Sequence, residues 1–204
     1  ANSGRSAGAA LATLDAAIGA AKDGGKIILL SDYTIRTHYT EPQHTGEIVI
    51  TAKDGTRDTG AKLIFNVTGE THYRLSGATT FRDLDITLKN FVMFTAQFHN
   101  LTFDTGLTVE GGEKYAFVIG GYQTAFPEDM ELGLDSHVTI KSGKYHAVAG
   151  SSRGASSIMF EGTSHITVDG GEINMLFGGS INGSGMANAE ITINGGTINQ
   201  LNMA

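Results

Sequence analysis

The stretch Ile166-Thr167-Val168-Asp169-Gly170-Gly171 decides the fold of this chain, because three other stretches repeat its pattern. Each copy is an apolar-Thr-apolar strand that ends in a turn containing Gly, and a second short apolar run follows the turn. The other copies begin at Leu107, Val138 and Ile191, so successive copies start 31, 28 and 25 residues apart. Strands that recur while the segments between them vary in length are typical of a solenoid, in which similar coils stack and loops project.

The composition fits a folded domain with many tight turns and limits the possible partners. Gly occurs 28 times and Pro only 2 times. The formal net charge of −7 disfavours nucleic acid, because phosphate binding needs clustered Lys and Arg. No apolar run reaches the roughly 18–20 residues that span a bilayer. The chain has no Cys, which excludes disulfides and thiolate metal sites.

The N-terminal part predicts one helix followed by strands. Leu11, Leu14 and Ile18 fall on one face of a helix over residues 6–22, and Gly24-Gly25 can end it. The predicted strands are Ile27–Leu30, Glu47–Thr51, Lys62–Asn66 and Asp83–Lys89, the last with Ile86-Thr87-Leu88 aligned to Leu107-Thr108-Val109. We therefore expect a capping helix and lead-in over residues 1–26 and stacked coils over residues 27–204.

This arrangement resembles the right-handed parallel β-helix, the pectin-lyase-like fold. Residues 14–30 look like the capping helix of that fold leading into its first strand, and residues 81–87 are similar to the strand where regular coiling begins. The Ile-Thr-Ile-x-Gly-Gly-x-Ile coils resemble β-helix modules of large bacterial surface or secreted proteins. The resemblance implies an all-β, right-handed, three-sided solenoid that is extracellular or on a bacterial cell surface. We expect further coils or domains C-terminal to Ala204, or another chain, to cover the last coil.

Strand alternation predicts which side chains of the coils point outward. With apolar residues inward, three outward columns should form between neighbouring coils. They are Asp85, Gly106, His137, His165 and Glu190; then Thr87, Thr108, Thr139, Thr167 and Thr192; then Lys89, Glu110, Lys141, Asp169 and Asn194. The expected core comprises Leu88, Val109, Val118, Ile140, Val148, Val168, Leu176 and Ile193.

Two groups of residues suggest metal binding, each with a plainer alternative. His137 beside His165, with Glu190 next in the column, can bind a transition metal or form a solvated histidine pair. Glu128, Asp129, Glu131 and Asp135 form an acidic loop that can hold Ca²⁺, although the ordered Asp-x-Asp-x-Asp-Gly spacing is absent and a solvated loop is the alternative. We expect no other cofactor.

An apolar strip on the second strands is the predicted ligand-binding surface. Phe117, Ile119, Met175 and Phe177 should point outward beside variable loops, with Tyr122 at the edge and Arg153 on a loop. Exposed aromatic and apolar side chains of this type stack on sugar rings or receive a partner protein, whereas a satellite core under the loops is the alternative.

These features favour a non-catalytic module that binds a glycan or a host or surface protein. One alternative is a polysaccharide lyase or glycoside hydrolase acting along the loops, with Arg153 as the base of a lyase. The family's Asp-bound Ca²⁺ and clustered carboxylates have no recognisable counterpart among these columns. A second alternative is a structural spacer. The solenoid motif does not discriminate between them, because one fold carries many functions.

Overall fold

The structure is a computed structural model that describes residues 4–122, 131, 133–153, 160–182 and 186–203. Its helices are a 3₁₀ helix at Ala7–Ala9, α1 at Leu14–Ala20 and α2 at Gly112–Tyr115. In chain order its strands are β1 (Asp23–Ile28), β2 (Tyr33–Ile35), β3 (Tyr39–Thr40), β4 (Gly46–Thr51), β5 (Lys53–Asp54), β6 (Arg57–Asp58), β7 (Lys62–Phe65), β8 (Thr71–Arg74), β9 (Thr79–Phe81), β10 (Leu84–Leu88), β11 (Val92–Thr95), β12 (Asn100–Phe103), β13 (Leu107–Glu110), β14 (Ala116–Ile119), β15 (Ser136–Ile140), β16 (Lys144–Ala149), β17 (Phe160–Val168), β18 (Glu172–Phe177), β19 (Met186–Ile193) and β20 (Thr197–Asn202).

The strands form a parallel β-solenoid, as the repeat predicts. Sheet A has the order β1-β4-β9-β12-β15-β17-β19, sheet B has β13-β10-β7-β2, and sheet C has β20-β18-β16-β14-β11-β8-β3. Every pair within these three sheets is parallel, and about six turns of chain connect the first strand of sheet A to the last. The exception is the antiparallel pair of β5 and β6, a small hairpin outside the three sheets.

The coils change from three-sided to two-sided along the solenoid. Through β14, each coil passes from sheet A to sheet B and then to sheet C. From β15 onward, a short turn leads from sheet A directly to sheet C, and sheet B has no further strand in the described residues. Gly143, Gly171 and Gly196 occupy these turns with φ values of 92°, 80° and 83°, a backbone region that favours glycine. The expectation of three-sided coils is therefore correct only for the N-terminal part.

The predicted outward columns are correct for the C-terminal coils and wrong for the earlier ones. Val138, Ile166 and Ile191 are register neighbours, so Thr139, Thr167 and Thr192 form a ladder on sheet A. The neighbours of this ladder toward the N-terminus are Thr102 and Thr80, whereas Thr87 and Thr108 lie on sheet B. Asp85, Gly106, Lys89 and Glu110 likewise do not belong to the columns predicted for them.

The interior of the solenoid is a continuous apolar core. Aromatic rings contact one another along the axis with centroids 5.0–6.0 Å apart. They belong to Phe65, Tyr73, Phe81, Phe94 and Phe103 in the three-sided coils and to Tyr145 in the first two-sided coil. All but one of the predicted core residues are buried. The prediction is wrong for Ile193, which is 50% exposed because its strand is the last of sheet A and has only one neighbour.

The N-terminal helix is shorter than the sequence pattern predicts. α1 begins after Thr13, whose hydroxyl accepts a hydrogen bond from the amide of Ala16 at 3.1 Å. Its buried residues Leu14 and Ile18 join the main core at the first coil, so the helix packs where a capping helix is expected. No helix in the described part of the chain has the length and hydropathy needed to cross a membrane.

Candidate functional site

The predicted apolar strip lies on the outer face of sheet C. Phe117 pairs with Ala147 and Ala147 with Met175, while Ile119 and Phe177 both pair with Ala149. Met93, Phe117 and Ala147 form an apolar cluster separate from the main core, and Met175 and Phe177 pack against it. The strip therefore faces away from the solenoid interior.

The N-terminal half of the strip is covered. Phe117 is 6% exposed and Ile119 is fully buried. The guanidinium of Arg153 lies 4.6 Å from the centre of the Phe117 ring, forms an ion pair with Glu70, and places Nη1 3.4 Å from the sulfur of Met93. This geometry combines a cation–π contact with an ion pair. As ligand-binding residues, Phe117, Ile119 and Arg153 remain a prediction, and the burial of Phe117 and Ile119 leaves little of their surface for a ligand.

The C-terminal half of the strip is more open. Met175 and Phe177 are half-buried, and Gln200 and Asn202 follow them on the last strand of sheet C. Gln200 Nε2 donates to Asn202 Oδ1 at 3.3 Å. The Asn202 Nδ2 group is buried and has no acceptor in the part of the chain that the structure describes. The edge residue Tyr122 is half-buried 6.0 Å from the ring of Phe98, and burial raises the pKa of its phenol.

A ladder of amides borders this open half. Asn199 Nδ2 donates to Asn174 Oδ1 at 2.9 Å, and Asn174 Nδ2 donates to the carbonyl oxygen of Glu113 at 2.7 Å. His146 Nδ1 lies 3.2 Å from that same oxygen. Asn199 and Gln200 are exposed, so amide donors and acceptors stand beside apolar side chains on one face.

The predicted histidine pair is present on the outer face of sheet A. His137 and His165 are register partners, and their rings stack with centroids 4.7 Å apart and planes 3° apart. Glu190 pairs with His165, and its Oε2 lies 3.1 Å from His165 Nδ1. Asp135 Oδ2 lies 4.0 Å from His165 Nε2. The pKa of His137 is lowered overall, because burial and the nearby His165 lower it more than Asp135 raises it.

The predicted calcium loop is described only in part. Glu128 and Asp129 lie outside the described residues, and Glu131 is exposed. Asp135, which the sequence places in this loop, lies instead beside the two histidines. The signal for that contact is the spacing of Asp135 and His137, because residues two apart in an extended chain share a face.

Sequence reasoning missed a buried polar network at the corner before β4. The side chains of Glu41 and His44 have no exposed surface, and Glu41 Oε2 lies 3.1 Å from His44 Nε2. Tyr73 donates its hydroxyl to Glu41 Oε1 at 2.8 Å, and Thr79 Oγ1 lies 3.1 Å from that oxygen. The hydrogen bond to Glu41 is the main reason that the pKa of His44 is raised. The network holds the loop of Glu41 inside the solenoid, so we assign it to the fold.

Comparisons with protein-family models, curated proteins and solved structures found no significant match for this chain.

Proposed function

We propose that this protein is a non-catalytic module, related to the pectin-lyase-like β-helices, that binds a glycan on the outer face of sheet C. The proposal places it outside a bacterial cell or on its surface. The observation that carries it is the combination of Met175 and Phe177, half-exposed, with the amide side chains of the last two coils.

The chemistry of this face suits a carbohydrate ligand. The apolar faces of sugar rings pack on an aromatic ring such as Phe177, and side-chain amides both donate to and accept from hydroxyl groups. Asn199 and Gln200 are exposed and uncharged, so a neutral ligand can reach their amide groups.

The ion pairs of two carboxylates, Asp83 and Asp104, also support a binding role over hydrolysis or elimination. Asp83 Oδ1 lies 3.0 Å from Lys53 Nζ, and Asp104 Oδ2 lies 2.6 Å from Arg82 Nε. A general acid or base needs a carboxyl group that can exchange a proton with substrate. Carboxylates held by cations of neighbouring coils are suited to fixing register instead.

The test is a glycan array followed by calorimetry with the best ligand. Phe177→Ala and Gln200→Ala should each weaken binding at least tenfold while leaving the melting temperature nearly unchanged. Thr108→Ala, an exposed residue on sheet B, is the matched control and should bind like the wild type. Binding that survives both sheet C substitutions contradicts the proposed surface. Release of reducing or unsaturated sugar ends would replace the binding role with an enzymatic one.

A second candidate function is association with another β-coil, supported by the exposed C-terminal edge of the stack. Ile193, Leu201 and Met203 are 50%, 47% and 57% exposed. Residues 191–203 contain no charged side chain. Edge strands usually carry charged residues or proline, which prevent them from pairing with another strand. This edge carries neither, so a further strand can pair with it. We propose a second copy of this chain as the occupant, joined edge to edge, because two uncharged edges do not repel each other.

Light scattering across a concentration series tests this second candidate. The wild type should form dimers as the concentration rises, and Leu201→Lys should remain monomeric. Leu30→Lys is the matched control, because Leu30 is 42% exposed in the first coil. A wild type that stays monomeric at high concentration, or a dimer that persists in Leu201→Lys, contradicts the candidate.

A further inference from the structure

Two histidines and one aspartate cluster on the outer face of sheet A, on a different sheet from the proposed glycan surface. His137 on β15 and His165 on β17 are register partners, and Asp135 directly precedes β15. One ligand atom from each of the three side chains lies within 4.8 Å of the other two. We propose that His137, His165 and Asp135 bind a divalent transition metal ion of the zinc class.

The ligand atoms can converge on one ion through small side-chain rotations. Tetrahedral coordination with bonds of about 2.0–2.2 Å places neighbouring ligand atoms roughly 3.3 Å apart. The observed separations of up to 4.8 Å exceed this by an amount that rotation of a surface side chain can supply. Because the two rings are parallel within 3°, one must turn about its Cβ–Cγ bond to direct its lone pair at the shared ion. His137 and Asp135 are exposed, so little packing opposes these rotations.

Neighbouring groups leave Nε2 of His165 and Oδ2 of Asp135 available to a metal ion. Glu190 Oε2 lies 3.1 Å from His165 Nδ1, which favours a proton on that nitrogen and leaves the lone pair on Nε2. The backbone amide of Thr163 donates to Asp135 Oδ1 at 2.6 Å. The second carboxylate oxygen, Oδ2, is the one that faces His165 Nε2, at 4.0 Å. A carboxylate that holds the far nitrogen of a ligating imidazole is the usual support of a zinc-bound histidine.

The donor set selects the class of ion. Imidazole nitrogens suit Zn²⁺, Co²⁺, Ni²⁺ and Cu²⁺, whereas Ca²⁺ and Mg²⁺ prefer oxygen ligands. Three protein ligands leave a fourth position of the ion for water or for a donor group of a partner.

A second histidine pair provides a control within the same molecule. The rings of His38 and His72 have centroids 5.0 Å apart at an angle of 51°. Burial, Arg74 and His38 lower the pKa of His72, Glu70 raises it, and Arg153 lowers it by less. Positive side chains repel a cation, so the His38–His72 pair should not bind the ion although its rings are almost as close.

The experiment is titration of the tag-free chain with Zn²⁺ by calorimetry and with Co²⁺ by visible absorption spectroscopy. We expect one ion per chain, and an absorption spectrum typical of Co²⁺ with nitrogen and oxygen ligands. His137→Gln and His165→Gln should each weaken binding about 100-fold or more, and Glu190→Gln about tenfold. His38→Gln should bind like the wild type.

The outcomes separate the proposal from a structural role of the histidine stack. The metal-free variants should melt like the metal-free wild type, because the substituted side chains lie on the surface. Absence of saturable Zn²⁺ binding at millimolar concentration would overturn the proposal. Binding that is unchanged in a His137→Gln/His165→Gln double variant, or that His38→Gln weakens equally, would also overturn it.

Discussion

The carboxylate of Glu41 and the imidazole of His44 form a fully buried pair, with Oε2 and Nε2 3.1 Å apart. Tyr73 and Thr79 complete the hydrogen bonding of the carboxylate from the neighbouring strands. Glu41→Ala should lower the free energy of unfolding by about 3–5 kcal/mol, because removing one partner leaves the others buried and unsatisfied. Denaturant unfolding measures this loss.

The control for Glu41 is another glutamate that binds a threonine. Glu47 accepts from Thr80 Oγ1 at 2.7 Å, but Glu47 is exposed. Glu47→Ala should cost less than about 1 kcal/mol, as is usual for surface substitutions. Equal losses in the two variants would mean that the Glu41 network does not stabilise the loop.

The acid side of the stability profile should depend on His72. Burial is the largest cause that lowers the pKa of His72 to about 4, and Arg74 is the next. The unfolded chain binds a proton at this residue near pH 6.5, whereas the folded chain does so only near pH 4, so stability is lost as the pH falls through this window. The loss should be of order 2–3 kcal/mol. NMR titration of the imidazole signals follows the protonation, and His72→Gln should flatten the pH 6.5 to 4 portion of the unfolding profile relative to the wild type.

Aspartate substitutions should lower stability much more in the interior of the stack than on its outer face or at its C-terminal end. Ile140 is fully buried, Thr139 beside it is half-buried on the outer face, and Ile193 is 50% exposed. Ile140→Asp should lower stability by about 4 kcal/mol or more, because it places an unpaired charge in the core. Thr139→Asp and Ile193→Asp should each cost about 1 kcal/mol or less. Thermal melts of the three variants check the order, and a large loss for Ile193→Asp would show that its side chain is covered.

The close approach of α2 to the next coil should make Gly112 intolerant of any side chain. A Cβ at this position would collide with the carbonyl oxygen of Lys144 and contact Val109 Cγ1 at 2.8 Å. Gly112→Ala should cost about 1–3 kcal/mol through overpacking. Gly69 has no neighbouring atom within 4 Å of such a Cβ, so Gly69→Ala is the control and should be nearly neutral. Equal unfolding midpoints for the two variants would contradict the close contact.

The sequence predicts the solenoid well because strand and turn chemistry repeat locally, but it does not specify the sheet on which each copy lies. The copy at Leu107 precedes a turn into sheet C, as do the copies at Val138 and Ile166. The Leu107 copy lies on sheet B, however, and the true neighbour of Val138 is Leu101. The alternation of apolar residues reports which side faces inward and carries no information on which of three sheets a strand joins.

In the candidate sites too, the sequence predicts contacts between aligned coils but not contacts between distant loops. The pairing of His137 with His165 follows from two correctly aligned coils. The cover over Phe117 depends on Arg153 and Glu70, which are 83 residues apart. No local pattern predicts such a contact, so an outward strand position was a poor guide to exposure there.

Because the coils change from three-sided to two-sided, the two ends of the molecule should resist a pulling force to different extents. The linked aromatic rings lie in the wide N-terminal coils except for Tyr145, which is in the first narrow coil. The core of the later narrow coils contains aliphatic residues such as Val168 and Leu176. Each coil is stabilised mainly by its neighbours, so a pulling force applied at the C-terminal end should peel off the narrow coils first. With 25 residues between the last two copies of the repeat, each such event lengthens the chain by about 80 Å at roughly 3.3 Å per residue. The wide coils would then remain as an anchored block while the narrow ones extend in steps.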